Sequence, residues 1–133
     1  MNAPSIDIRD MLLAYGDYSG LHLSFPTTLF IGEEPSMPDN SVTIFDTPGF
    51  PPMLGLITQG YEYPSVQIRV RNRKYIDGWN LADAIKNALH GRSQQTWNGA
   101  LYTVIYCSSG PALLDRDDND RFRFIVNFNL QRR

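Results

Sequence analysis

Apolar residues recur along this chain with two different periods. Ile8, Met11, Leu12 and Tyr15 follow i, i+3, i+4, i+7 spacing, which gathers them on one stripe of a 3.6-residue turn and predicts a helix near the N-terminus. Ser5 is a candidate N-cap, Asp7 places a negative charge in the first turn, and Gly16 is a natural stop. A second helix is predicted over 78–90, with Asp77 as its cap. Leu81, Ala82, Ile85, Ala88 and Leu89 form its buried stripe, and Gly91 suits the left-handed position after its end.

Elsewhere the period is two. In residues 65–71 Val66, Ile68 and Val70 point one way, while Gln67, Arg69 and Arg71 point the other, as in a half-buried antiparallel strand. Residues 122–130 repeat the pattern with Phe122, Phe124, Val126, Phe128 and Leu130 on one side. Arg121, Arg123, Asn127 and Asn129 lie opposite, interrupted by Ile125. Residues 29–31 and 41–46 read as shorter strands, and 101–107 as a central strand that is apolar on both faces.

Residues 33–40, with Pro35 and Pro38, form a loop. Residues 47–60 hold prolines at 48, 51 and 52 and glycines at 49, 55 and 60, which prevent regular structure over most of the stretch. Its apolar residues, including Phe50, Met53 and Leu54, either fold back over the core or form a contact surface for another subunit. The element order predicts an α+β fold: a mostly antiparallel sheet of about four to five strands with two helices packed on one face. At 133 residues and 15.1 kDa, residues 1–133 are expected to form a single domain.

Charge narrows the function classes. A net charge of −2 lacks the basic balance of a nucleic-acid binder. Positive charge is nearly all arginine, the residue suited to paired interface contacts, with Lys74 and Lys86 the only lysines. Cys107 stands alone, so no disulfide forms within the chain. The first ten residues show no basic-then-apolar leader, and no apolar run approaches the about 18 residues of a membrane span. A soluble protein made inside the cell is expected.

Three candidate chemistries fail on their own spacing. Asp46-Thr47-Pro48-Gly49 follows a strand as a γ-phosphate sensor would, yet no upstream Gly-Lys-Ser/Thr loop accompanies it, and a strand running into a Pro-Gly turn explains it. Asp115, Asp117 and Asn119 alternate like calcium ligands, but Asp120 stands where glycine is needed and Val126 where the closing glutamate belongs. That run reads as a solvated hairpin turn. His22, His90 and Cys107 are too few and too scattered for a catalytic or transition-metal site, and Cys107 reads as a small buried hydrophobe. No catalytic, cofactor or metal residue is assigned.

Taken together, Asp46-Thr47-Pro48-Gly49, the strand Pro64 to Arg71, the helix from Tyr75 to Gly91, Ser109-Gly110-Pro111, the acidic turn and the strand Arg121 to Phe128 resemble the phage tail-terminator family, also labelled minor capsid proteins. The resemblance covers about residues 42–131, with a compatible N-terminal helix; the stretch 48–60 does not match. It implies a non-enzymatic virion subunit made in the host cytoplasm and placed at the head–tail junction. Such a subunit caps the tail tube, usually as a six-membered ring, and docks on the head connector. Its implied partners are further copies of itself, the tail-tube protein and a head-completion protein, with no membrane and no specific nucleic acid.

A ring of identical subunits needs a heterologous contact. On this reading Arg69, Arg71 and Arg73 meet a neighbour's Asp115, Asp117, Asp118 or Asp120, with Phe50, Met53 and Leu54 as apolar contacts. A head–tail joining or tail-completion protein is the nearest alternative. A cellular domain binding a small ligand under a lid of residues 47–60 is another, although within that stretch only Thr58 and Gln59 follow Thr47 as polar side chains.

Overall fold

The structure is a computed structural model that describes residues 1–19, 21, 23–51 and 60–133. Its elements are α1 (Pro4–Ser19), β1 (Leu29–Ile31), β2 (Ser41–Phe50), β3 (Tyr63–Asn72), α2 (Tyr75–Leu89), β4 (Arg92–Trp97), β5 (Ala100–Arg116) and β6 (Phe122–Arg132). The strands form one sheet in the order β1-β2-β3-β6-β5-β4. All neighbours are antiparallel except β1 and β2. The fold is the expected α+β with a mostly antiparallel sheet, but it has six strands instead of four to five, one pair of them parallel.

Alternation in β3 and β6 organises the core. Val42, Val70 and Phe124 stand in one row across three strands, and Ile44, Ile68 and Val126 in the next. All six are buried, together with Ile8, Met11 and Leu12 of α1 and Ala82, Ile85 and Leu89 of α2. Both helices therefore cover the same face. Gly78 lets α2 approach closely: a Cβ there would lie 2.7 Å from the Phe124 ring.

Several boundaries depart from the sequence reading for identifiable reasons. Pro4 opens α1, where its missing N–H costs nothing, and Ser5 lies inside the first turn. The cap comes from β2: Asp46 accepts from the Ser5 backbone N–H at 2.9 Å and from its hydroxyl at 2.7 Å. α1 also runs through Gly16. α2 begins at Tyr75, so Asp77 sits in its first turn and does not cap it, while Gly91 has the expected positive φ of 85°.

β2 continues regular pairing past the expected end at 46 and reaches Phe50, through a register shift at Pro48 and Gly49. Gly49 is required there, because any Cβ would lie 1.8 Å from the Tyr63 carbonyl oxygen. β4 was not anticipated; its sequence RSQQTW has no apolar alternation. Its signal lies in the turn, since Asn98 and Gly99 both take positive φ and join Trp97 to Ala100 as a two-residue hairpin.

A buried polar knot ties the two ends of the chain together. Asp7, fully buried, accepts from the Tyr102 hydroxyl and from Asn98 Nδ2 at 2.6 Å, and lies 3.5 Å from Arg132 Nη1. Arg132 also donates to Tyr102 at 3.1 Å, to the Asn2 carbonyl at 3.0 Å and to Glu62 at 3.0 Å. Burial, together with the Asp7 carboxylate, pushes the Tyr102 hydroxyl far above the usual tyrosine range.

Truncating Arg132 would leave Asp7 buried beside no cation. Arg132→Ala is expected to cost about 3 kcal/mol in urea unfolding, whereas Arg73→Ala, at a solvent-screened surface pair, should cost far less. Equal costs would remove the knot as a stabilising feature.

Candidate subunit-contact surface

The face of the sheet away from the helices carries Thr43, Arg69, Arg71, Arg123 and Ile125 on neighbouring strands. Because β1 and β2 are parallel, the chain must return between them, and residues 32–40 do so across this face. Glu34 thereby enters the arginine group, 3.1 Å from Arg123 Nη1, 3.6 Å from Arg71 Nη1 and 4.0 Å from Arg69 Nε. Three polar atoms here, Glu34 Oε2, Arg69 Nε and Thr43 Oγ1, are buried without a hydrogen-bond partner in the chain.

Each arginine singled out from the sequence finds a partner within the chain. Arg71, expected on the open face of its strand, is only 2% exposed and donates to the Pro38 carbonyl at 2.6 Å and the Asp39 carbonyl at 3.1 Å. Arg73 pairs with Asp39 at 2.6 Å and remains 56% exposed. Arg69 lies over the Phe45 ring at 4.9 Å and donates to Gln67 at 3.1 Å.

The acidic run is the β5–β6 hairpin turn that its composition suggested, and its charges also turn inward. Asp115 receives a two-pronged contact from Arg123. Asp117 accepts from the backbone of Asn119 and Arg121 and pairs with Arg121 at 2.8 Å. Asp120 makes only an exposed contact with Arg116 at 3.4 Å, and Asp118 makes no ion pair among the described residues. Two arginines missed by the sequence reading, Arg121 and Arg123, thus hold the turn and the 32–40 segment together. Their signal was present as alternate polar positions of β6, but nothing local named their partners.

Phe50 ends β2 and is 64% exposed, while Met53 and Leu54 lie outside the described residues, as does His22. Cys107 is half-buried, not fully buried, and its backbone N–H donates to His90 Nδ1 at 2.9 Å. Among the described residues no group of three His, Cys, Asp or Glu side chains gathers as metal ligands. An open groove of about 280 Å³ includes Asp46, Glu62 and Arg132 in its lining. All three are already engaged, with Ser5, Arg132 and Asp7 respectively.

An outward cluster around the start of α2 is apolar. Tyr75 and Trp79 of α2 pack edge-on against Phe124, at 5.1 and 6.3 Å between ring centres, yet both stay more than a third exposed. Ile76, Leu113 and Leu114 extend this patch, with exposures of 64%, 45% and 41%. Exposed Trp and Tyr beside aliphatic residues are the composition of protein contact surfaces.

A family model for the bacteriophage tail terminator protein matches residues 12–133, nearly the whole chain. The chain belongs to that family. A chain from the virion of a native gene transfer agent particle shares its fold, with a TM-score of 0.69 at 14% identity, covering 98% of this chain and 94% of that one. No curated protein matches by sequence. This is a structural tail protein of a virion, and among the described residues no helix is long and apolar enough to cross a membrane.

Anchoring of the terminator's 32–40 segment is expected to depend on pH. The hydrogen bond from Arg73 holds Asp39 below the usual carboxylate range, and that from Arg123 does the same for Asp115. Burial pushes Asp117 up, but the N–H groups of Arg121 and Asn119 outweigh it and bring it below its usual value. A lowered folded pKa means stability present above the unfolded value and lost as pH falls through the folded one. Urea stability should therefore fall between about pH 5 and about pH 3, and fall less in Arg123→Gln, where Asp115 has lost its partner. A wild-type profile no steeper than the variant's would show that the Asp115–Arg123 pair adds no stability.

Proposed function

We propose that this protein caps the finished tail tube, ends its polymerisation and offers the surface on which the head connector docks. It acts as a ring of six copies assembled in the host cytoplasm as a single-domain subunit. The observation that carries this reading is the family match over residues 12–133. The fold adds support, because the apolar patch of Tyr75, Ile76, Trp79 and Leu113 is more than solvent-facing positions of a lone subunit require.

The charged positions enter this reading in a changed way. Arg69, Arg71, Asp115 and Asp117 shape the outer face through contacts inside the subunit. A neighbour reaches Arg73, Asp118, Asp120 and Phe50, with Met53 and Leu54 belonging to the same proposed apolar contact. Charge reversal at Arg71 is accordingly expected to lower the thermal midpoint as well as assembly, since it buries a carboxylate beside Glu34.

Electron microscopy of particles assembled without this protein tests the role. Over-long or unjoined tails are expected. Tails of normal length beside heads that have lost their DNA would instead mark a head-joining protein and overturn the capping role.

A further inference from the structure

Glu34 and Arg69 face each other across a spacing that neither can close. Arg69 Nε lies 4.0 Å from Glu34 Oε2, too far for a hydrogen bond. Both groups are held where they stand. The Arg69 guanidinium lies over the Phe45 ring at 4.9 Å, and its Nη2 donates to Gln67, which in turn donates to Asn127 at 3.2 Å. Glu34 is fixed from the other side, since Oε1 accepts from Arg123 Nη1 at 3.1 Å and lies 3.6 Å from Arg71 Nη1. A direct bond between Arg69 and Glu34 would break a contact on one side or the other.

Thr43 stands opposite Arg69 in the β2–β3 register, on the same face of the sheet, and is fully buried. Its hydroxyl, like Glu34 Oε2 and Arg69 Nε, is buried without a hydrogen-bond partner among the described residues. The three atoms are complementary in kind: one N–H donor, one carboxylate acceptor and one hydroxyl able to do either. Left dry, each would weigh against the folded state.

We infer that Glu34, Arg69 and Thr43 together bind one water molecule. It accepts from Arg69 Nε, donates to Glu34 Oε2 and makes its third hydrogen bond with the Thr43 hydroxyl. An oxygen about 2.8 Å from each of two atoms 4.0 Å apart fits beside the line joining them. Three hydrogen bonds are the usual complement of a buried water. The rim also selects against ions. A halide would suit Arg69 and Thr43 but would sit against the Glu34 carboxylate. A metal cation would suit Glu34 and Thr43 but would sit against the guanidinium groups around them. A small neutral molecule that both donates and accepts satisfies all three. The water thereby ties the 32–40 segment to β2 and β3 where no direct bond does.

The sign of one substitution tests this site, and the capping role does not enter the result. Thr43→Val keeps the side chain's shape and removes its hydroxyl. A dry hydroxyl would be an unpaired buried group, so its removal would raise the thermal midpoint of the purified protein. A hydrated one is lost together with a hydrogen bond, so Thr43→Val is expected to melt a few degrees lower, with Thr43→Ser, which keeps the hydroxyl, closer to wild type. A high-resolution crystal structure of the wild-type protein should show an oxygen within hydrogen-bond reach of Glu34 Oε2, Arg69 Nε and Thr43 Oγ1, and a bromide soak should place no anomalous signal there. An unchanged or higher midpoint in Thr43→Val, a direct Arg69–Glu34 bond, a site without that oxygen, or bromide in its place would each overturn the inference.

Discussion

Burying guanidinium groups on a sheet face is the constraint from which the rest of this structure follows. Strands β3 and β6 alternate so that one side is all aliphatic and aromatic and the other carries Arg69, Arg71 and Arg123. The first side asks only for apolar cover, which two amphipathic helices supply. The second cannot be covered cheaply, because an arginine taken from water without a partner costs several kcal/mol. The 32–40 segment meets that demand by bringing in Glu34 and the Pro38 and Asp39 carbonyls. It can cross there only because β1 and β2 are parallel, so even the one exception to antiparallel pairing belongs to the same solution.

The parts of the fold legible in the sequence are those where local pattern and tertiary environment agree. The α1 and α2 stripes, the alternation of β3 and β6 and the acidic hairpin turn are such cases, since each residue's place follows from its neighbours in the chain. What escaped depends on residues far apart. Asp46 caps α1 from a distance of 41 positions, a contact that no scan of residues near Ser5 finds. β4 is polar because it is an edge strand, and only its Asn98-Gly99 turn betrays it. Arg71 alternates like a solvent-facing residue, and whether such a face meets water or a returning loop is not written in the strand itself.

The charged side chains of the outer face are hidden in the same way. Arginines opposite aspartates, both on apparent open faces, suggest pairing between subunits. The pairing exists, but within one chain: Asp115 and Arg123 are cross-strand neighbours in the β5–β6 hairpin, and Arg73 meets Asp39 from the return segment. Sequence spacing registers that opposite charges are available without telling whether they meet inside a subunit or across a boundary. Burial decides it, and burial is a property of the assembled sheet.

Internal neutralisation has a consequence for assembly. A subunit whose buried charges are already matched gains little by exchanging them with a neighbour, since each exchange desolvates one pair to form another. On the proposed ring, specificity then falls to shape, to apolar side chains that found no place in the core and to the charges left exposed, Arg73, Asp118 and Asp120. The apolar ones are concentrated at the α2 start and on the β5 edge.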